Sequence, residues 1–69
     1  MAEVTFYLNG ELREVPERTD LTQMIRIFSL PEKRVAIELN GEVVRRTLWP
    51  CTFVGPNDRV EVVHFVGGG

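Results

Sequence analysis

Two Asn-Gly dipeptides, Asn9-Gly10 and Asn40-Gly41, strongly limit the folds open to this chain. Each one separates two runs in which apolar and polar residues alternate. Asn-Gly in that setting is the strongest short-range signal of a two-residue β-hairpin turn. The sequence therefore predicts two hairpins, with strands over residues 4–8, 11–15, 35–39 and 42–44.

The first predicted hairpin leaves one question about its side chains. A two-residue turn places Leu12 on the same face as Tyr7, opposite the predicted core. Either a β-bulge turns Leu12 back toward the core, or the outer face of the sheet is partly apolar. The sequence leaves both alternatives open.

Between the hairpins, apolar residues no longer occur at every second position, as in a strand, but at every third or fourth position, as on one face of a helix. Thr19 or Asp20 can cap a helix, and Gln23 stands three residues after Asp20 as a capping-box partner. An apolar stripe then follows at i, i+3, i+4 and i+7, namely Leu21, Met24, Ile25 and Phe28. Pro31 lies just past the end, so the pattern predicts one amphipathic helix of about two to three turns.

The segment after the second hairpin, residues 45–58, has no clean periodicity. Pro50 and the turn signal at residues 55–58 predict an irregular connection with one short turn of helix. Trp49 is expected to close one end of the core. A last strand then places Val60, Val62 and His64 on one face and Glu61, Val63 and Phe65 on the other.

This order of elements predicts an α+β fold in which a mixed sheet of about five strands wraps around one helix. The 69 residues suffice for one small domain, predicted over residues 1–66. Residues 67–69 are all glycine, which has no side chain to pack, so they are predicted to form a flexible tail.

A single helix can cover only one face of such a sheet. Apolar residues on the other face must meet water or a partner protein, and the pattern places Tyr7, Val63 and Phe65 there, with Leu12 as a possible fourth. These residues form a candidate docking patch, which we expect to lie near the glycine tail.

Composition excludes several classes of function. A net charge of -2 provides no basic field for nucleic acid or for an anionic membrane. The single Cys51 cannot form an internal disulfide, and with His64 as the only other soft ligand it cannot build a zinc site. No apolar run approaches the length of a membrane span. The chain is therefore expected to be cytoplasmic.

Several stretches together resemble a known family. The hairpin "IELNGEVV", the segment "RRTLW", the strand "GPNDRVEVVHF" and the ending "VGGG" are similar to the small sulfur carrier proteins with the ubiquitin-like β-grasp fold. The resemblance covers nearly the whole chain. Its most specific part is the last strand running into a terminal Gly-Gly, and among the carriers it is closest to those of thiamine biosynthesis.

The resemblance implies a function as a protein co-substrate and not as an enzyme. An E1-like partner enzyme would use ATP and Mg to adenylate the carboxylate of Gly69. A sulfur donor such as a cysteine desulfurase would then convert it to a thiocarboxylate, which would pass its sulfur to thiazole synthase. The chain itself would hold no cofactor or metal, and it would be a monomer when free.

The resemblance also assigns candidate site residues. Gly69 and Gly68 would be the reacting end, whereas Gly67 belongs to the tail without being part of the required pair. The residues expected to contact partner enzymes are Gly67, Val66, Phe65, Val63 and Tyr7.

The chemistry gives a physical reason for this ending. A terminal carboxylate is an anion at neutral pH and a poor acyl electrophile, so it must be activated before sulfur can be attached. The acyl carbon of glycine carries no Cβ that would hinder attack. A chain of glycines can also enter a narrow channel with backbone angles closed to other residues.

Other functions fit the same sequence. The runner-up within the same class is a carrier of sulfur for molybdopterin, cysteine or tRNA thiolation. Alternatives from a different class are a ubiquitin-like modifier that forms an isopeptide through Gly69 and a β-grasp adaptor that simply binds another protein. For the remaining residues the expected roles are ordinary: Cys51 partly buried beside Trp49, His64 at the end of a strand, and Arg45-Arg46 in a solvated turn.

Overall fold

A five-stranded mixed sheet packs one of its faces against a single α-helix in the computed structural model, which describes residues 2–65. The elements in chain order are β1 (Glu3–Leu8), β2 (Glu11–Pro16), α1 (Leu21–Ile27), β3 (Val35–Leu39), β4 (Glu42–Val44), a 3₁₀ helix (Arg46–Cys51) and β5 (Arg59–His64). This confirms the predicted order of elements and the α+β class. The helix has seven residues, and no helix in the described part is long and apolar enough to cross a membrane.

The strand order is β2-β1-β5-β3-β4, so the last strand in sequence is the central strand of the sheet. β5 runs parallel to β1 and antiparallel to β3, while each hairpin is antiparallel. The two hairpins therefore lie on either side of β5. The last strand in sequence thus connects the two hairpins into one sheet.

Both hairpin turns adopt the conformation that Asn-Gly favours. The φ angles are 51° and 82° at Asn9 and Gly10, and 53° and 88° at Asn40 and Gly41. Positive φ at both central residues is the signature of a type I′ turn, whose twist matches that of the flanking strands. Both predicted hairpins are thus confirmed.

The structure resolves the question about Leu12. Pairing between β1 and β2 runs without interruption from Leu8–Glu11 to Glu3–Pro16, which leaves no room for a bulge. Leu12 stands directly opposite Tyr7, and its side chain is 58% exposed. The outer face of the sheet is therefore partly apolar.

The start of α1 confirms the predicted capping box. The Asp20 side chain accepts a hydrogen bond from the Gln23 backbone N–H at 2.8 Å, and the Gln23 side chain accepts one from the Asp20 N–H at 3.1 Å. Two N–H groups that the helix leaves unpaired are satisfied in this way. The alternative cap, Thr19, instead donates its hydroxyl to the carbonyl of Pro16 at 2.6 Å.

The helix ends in a Schellman motif without a glycine. Ser29 adopts the left-handed conformation with φ of 55°. Its N–H donates to the Arg26 carbonyl, while the N–H of Leu30 donates to the Ile25 carbonyl at 2.9 Å. These two bonds satisfy carbonyls at the last turn and direct Leu30 back onto the core.

The core lies between α1 and the inner face of the sheet. Its fully buried side chains come from the helical stripe and from β1, β2, β3 and β5, and the largest are Phe6, Leu21, Met24, Ile25, Ile37, Val15 and Val60. Each fully buried side chain of this size contributes about 1.5–3 kcal/mol relative to remaining in water. Phe28, the last residue of the predicted stripe, is partly buried. Its ring packs against that of Phe6, with the two ring centroids 6.1 Å apart.

The 3₁₀ helix carries Trp49 into the core. The Trp49 side chain is buried, and its indole N–H donates to the Val44 carbonyl at 3.0 Å, so the one polar atom of the ring is satisfied. The Arg46 guanidinium stacks over the indole, with Cζ 4.3 Å from the ring centroid.

The expectation for Cys51 was wrong, because its side chain is exposed. In a 3₁₀ helix, residues three apart point the same way. Cys51 therefore lies on the exposed side with Leu48, to whose carbonyl its thiol donates at 3.4 Å, while Trp49 turns inward.

Candidate functional site

The turn before β5 sets the direction of the strand that leads to the C-terminus. Pro56 and Asn57 occupy its central positions, and Asn57 has a positive φ of 65°. The Asp58 carboxylate accepts a hydrogen bond from the Gly55 N–H at 2.7 Å, and the Asp58 N–H donates to the Gly55 carbonyl at 3.2 Å. These bonds close the predicted turn and place Arg59 at the first position of β5.

The asparagines of the two hairpins hold β5 from opposite sides. Asn9 accepts a hydrogen bond from the Val62 N–H at 2.8 Å through its side-chain oxygen. Asn40 accepts one from the Arg59 N–H at 2.9 Å and donates its amide to the Asp58 carboxylate at 3.0 Å. Sequence reasoning assigned both asparagines to turns only. No local pattern signals the second role, because the partners lie 19 and 53 positions away in sequence.

The last described residue is Phe65, whose N–H donates to the Arg34 carbonyl at 2.7 Å. The candidate residues Val66, Gly67, Gly68 and Gly69 lie outside the described residues. The predicted boundary between domain and tail, at residues 66 and 67, lies there too and stays a prediction.

The candidate docking patch is divided between two ends of the outer face. In the β1–β5 register Tyr7 stands beside Arg59, with Leu12 on its other side. Val63 lies four residues further along β5, about 13 Å away at about 3.3 Å per residue, and Phe65 lies further still. Only Val63 and Phe65, which are 45% and 52% exposed, are close to the end of β5, so the expectation of one patch near the tail was wrong for Tyr7 and Leu12.

An acidic pair lies between these two apolar ends. Glu38 of β3 stands directly opposite Glu61 of β5, and within the described residues neither forms a salt bridge. Like charges at directly opposed positions repel each other. A basic group from a partner protein would relieve that repulsion.

Two shallow depressions border β5 on the same face. One, of about 310 Å³, is lined by Tyr7, Gly10, Arg59, Val60 and Glu61. The other, of about 550 Å³, adjoins the second hairpin turn and shares Arg59 and Glu61. Both are open to solvent and suit a protruding side chain better than an enclosed small molecule.

The remaining chemically notable residues do not converge on a second site. His64 is the last residue of β5, which confirms its expected position, and its side chain is exposed. Arg45 and Arg46 are both exposed at the start of the 3₁₀ helix. Over residues 2–65, no three His, Cys, Asp or Glu side chains come together as metal ligands.

The fold and the position of the last strand define a ubiquitin-like β-grasp protein, whose central strand precedes the glycine ending in the sequence. The family model described as "ThiS family" matches residues 6–69. The chain belongs to the ThiS family.

Comparison with solved structures agrees with this family assignment. A crystal structure of a thiamine biosynthesis protein (ThiS) from Geobacter metallireducens superposes with a TM-score of 0.83 at 32% identity. That match covers 96% of this chain and 100% of the other. The β-grasp prediction is thereby confirmed.

Two curated relatives differ in size. A thiazole synthase from Magnetococcus marinus is 35% identical over 63 residues, which cover 91% of this chain but 19% of the relative. The chain therefore spans about a fifth of that protein. An uncharacterized protein from Porphyra purpurea is 29% identical, with 96% of this chain and 93% of the relative covered.

Proposed function

We propose that this chain carries sulfur for formation of the thiazole of thiamine, with the carboxylate of Gly69 as the carrying group. The observation that carries the proposal is the family match, which extends to residue 69 and so includes the glycine ending. The central position of β5, which is held by a hairpin on each side and leads to that ending, supports it. The chain acts as a co-substrate of partner enzymes.

The proposed chemistry first activates the Gly69 carboxylate and then replaces one of its oxygens by sulfur. The Gly69 carboxylate attacks ATP on an E1-like partner that also holds Mg, and pyrophosphate leaves to give an acyl adenylate. The terminal sulfur of a donor persulfide, such as that of a cysteine desulfurase, then attacks the acyl carbon, and AMP leaves with one carboxylate oxygen. A thiol of a partner enzyme cleaves the S–S bond of the resulting acyl disulfide, which releases the thiocarboxylate of Gly69 and leaves the two partner sulfurs as a disulfide. ATP, Mg and the catalytic side chains all belong to partners in this scheme.

The residues of this chain position the reacting end relative to a partner's active site. The N–H of Phe65, the last described residue, is bonded to the carbonyl of Arg34, and Val66 to Gly69 follow it in the sequence. Four extended residues span at most about 14 Å, so a partner's active site must come within that distance of the sheet. Gly69 matters because a Cβ next to the reacting carbon would obstruct attack, and Gly68 because a Cβ there would hinder entry of the chain into a narrow channel.

The outer face supplies the docking surface in this proposal. Val63 and Phe65 lie nearest to the reacting end, and the Glu38–Glu61 pair beside Val63 favours a partner with a basic group at that point. Tyr7 contacts only a partner large enough to extend across the sheet, while Val66 and Gly67 are contacted by any partner that binds the reacting end. The partners are the E1-like enzyme and thiazole synthase, in the cytoplasm, with the free chain a monomer.

Intact-protein mass spectrometry tests the proposal. The chain is purified from its host under reducing conditions, and replacement of oxygen by sulfur at the terminal carboxylate is expected to add about 16 Da, mapped to Gly69. The same increase is expected when the purified chain is incubated with ATP, Mg, a sulfur donor and the host's adenylating enzyme.

Two variants separate this product from other sulfur adducts. Exposed Cys51 can form a persulfide, which adds a whole sulfur atom, about 32 Da, and Cys51→Ser removes that species while leaving the smaller shift intact. Deletion of Gly68 and Gly69 is expected to abolish the smaller shift. An unchanged mass with all components present, or conjugates through Gly69 to lysine side chains, would contradict the proposal and favour an adaptor or a modifier.

A further inference from the structure

The backbone groups of β5 alternate between its two neighbours. On the β3 side, the carbonyl of Arg59 accepts from the Asn40 N–H at 2.7 Å, and the N–H of Phe65 donates to the Arg34 carbonyl at 2.7 Å. Odd-numbered residues of β5 therefore direct their N–H and C=O groups toward β3. That ladder is continuous along the whole of β5 and continues to Phe65, one residue past its end.

Even-numbered residues direct the same groups toward β1, where the ladder is shorter. The carbonyl of Asp58 accepts from Tyr7, and the carbonyl of Val60 accepts from Asn9, each at 2.8 Å. The N–H of Val62 is the last group satisfied on this side, and its partner is the Asn9 side chain. Beyond this point the first hairpin has turned back into β2.

Three backbone groups of β5 therefore face a side without a neighbouring strand: the carbonyl of Val62 and the N–H and carbonyl of His64. None of them forms a hydrogen bond with another described residue. The His64 side chain is exposed as well. We call these three groups the open edge of β5.

The outermost strands of the sheet are protected against pairing, in contrast to the open edge. β2 carries Glu11, Arg13 and Glu14 and ends in Pro16, and charges and proline are the usual means of blocking an edge strand. β4 is only three residues long. Among the described residues the open edge has no comparable protection, although it is part of the central strand.

We infer that the open edge binds an extended segment of thiazole synthase as an additional antiparallel strand beside Val62 and His64. This inference rests on the proposed function and adds the mode of recognition. One residue of the segment would exchange both backbone hydrogen bonds with His64, and the residue two positions further on would donate to the Val62 carbonyl.

Two observations favour this occupant. His64 lies five residues before Gly69, so a protein that takes sulfur from Gly69 must come within about 18 Å of the open edge. In the Magnetococcus marinus relative, a region similar to this chain belongs to the same polypeptide as a thiazole synthase, which keeps the two close together. Backbone pairing would also hold the strand before the reacting end in a fixed direction.

Amide hydrogen exchange of the wild-type chain, free and with purified thiazole synthase of the same host, tests the inference directly. The His64 amide is expected to exchange rapidly in the free chain and at least about tenfold more slowly in the complex. The Phe65 amide is the internal control, because its hydrogen bond to Arg34 is present in both states.

His64→Pro and His64→Ala form a matched pair for binding. Proline removes the N–H of the open edge without removing a bond of the β3 ladder, since the His64 N–H points the other way, and proline is tolerated where a strand's N–H faces solvent. We expect His64→Pro to weaken binding to thiazole synthase about tenfold and His64→Ala less than about twofold. If His64→Pro unfolds the domain, exchange in the wild-type chain still decides the question.

The outcomes separate this inference from the proposed function. A complex that transfers sulfur while the His64 amide stays unprotected would overturn the inference and leave the function intact. Protection only with the adenylating enzyme, or only at high concentration of the chain alone, would overturn it in favour of another occupant. Absence of the Gly69 thiocarboxylate would instead contradict the proposed function, independently of any exchange result.

Discussion

The two hairpin turns of this protein are built from the same four residues. Residues 8–11 and 39–42 both read Leu-Asn-Gly-Glu, and the φ angles of the two turns agree within 6°. Yet the asparagine side chains have different partners. Asn9 only accepts a hydrogen bond, from Val62, whereas Asn40 accepts one from Arg59 and donates another to Asp58.

The tetrapeptide therefore encodes its own backbone conformation but not the hydrogen-bond partners of its asparagine side chain. The turn follows from local sterics, because glycine and asparagine tolerate positive φ. The partner of each asparagine depends on which part of β5 lies beside the turn. The two turns therefore provide a controlled comparison, in which a local effect should be equal at both sites and a tertiary effect should not.

Replacing asparagine by aspartate should give the largest difference between the turns. At Asn40 the change removes the donor to Asp58 and brings two carboxylates together, so Asn40→Asp should lower the free energy of unfolding by about 1–2 kcal/mol. At Asn9 an oxygen acceptor for Val62 remains, so Asn9→Asp should cost less than about 0.5 kcal/mol. Urea denaturation of both variants measures the contrast.

Salt provides the control for this contrast. Both sites are exposed, so added salt should screen the new repulsion and reduce the cost of Asn40→Asp, while the Asn9→Asp value should hardly change. Equal costs at the two positions would show that the Asn40–Asp58 hydrogen bond contributes nothing to stability.

Replacing asparagine by glycine should give a smaller and more local difference. Asn9→Gly keeps positive φ accessible but removes the acceptor of the Val62 N–H. We expect the Val62 amide to exchange roughly five- to tenfold faster and the Arg59 amide to be unaffected, as measured by hydrogen exchange. The reciprocal variant, Asn40→Gly, should accelerate hydrogen exchange of the Arg59 amide and leave exchange of the Val62 amide unchanged. Acceleration of both amides in either variant would mean that the turns are not independent.

Replacing the turn glycines should give no difference at all. Gly10 and Gly41 have φ of 82° and 88°, and a Cβ built on either meets nothing within 4 Å. Gly10→Ala and Gly41→Ala should therefore each cost about 1–2 kcal/mol through backbone strain alone. Thermal or urea unfolding should give values within about 0.5 kcal/mol of each other. A larger gap would indicate that tertiary contacts reach the turn backbone itself.

Most of the fold could be predicted because its signals are local. The capping box at Asp20 and Gln23, the apolar stripe of α1 and the two Asn-Gly turns each act over a few residues, and all were confirmed. The exposure of Cys51 could not be predicted, because it depends on the 3₁₀ geometry around Pro50.

The candidate site was predicted less completely. Alternation assigned Tyr7, Val63 and Phe65 to the outer face, since the side-chain period of a strand is fixed at two. Alternation does not give the register between strands that are distant in sequence. Only the parallel pairing of Tyr7 with Arg59 separates Tyr7 from Val63 and divides the patch.

Propensity, periodicity and motif are properties of short segments, so they were sufficient to predict the class of fold, the two turns, the helix and membership of a family with a glycine ending. Three features became visible only in the folded chain: β5 lies between the hairpins, Asn9 and Asn40 hold it, and Val62 and His64 present an open edge. Those features depend on which distant strands pair and in what register. Neither segment contains a sequence pattern that predicts hydrogen bonds to a strand far away in the chain.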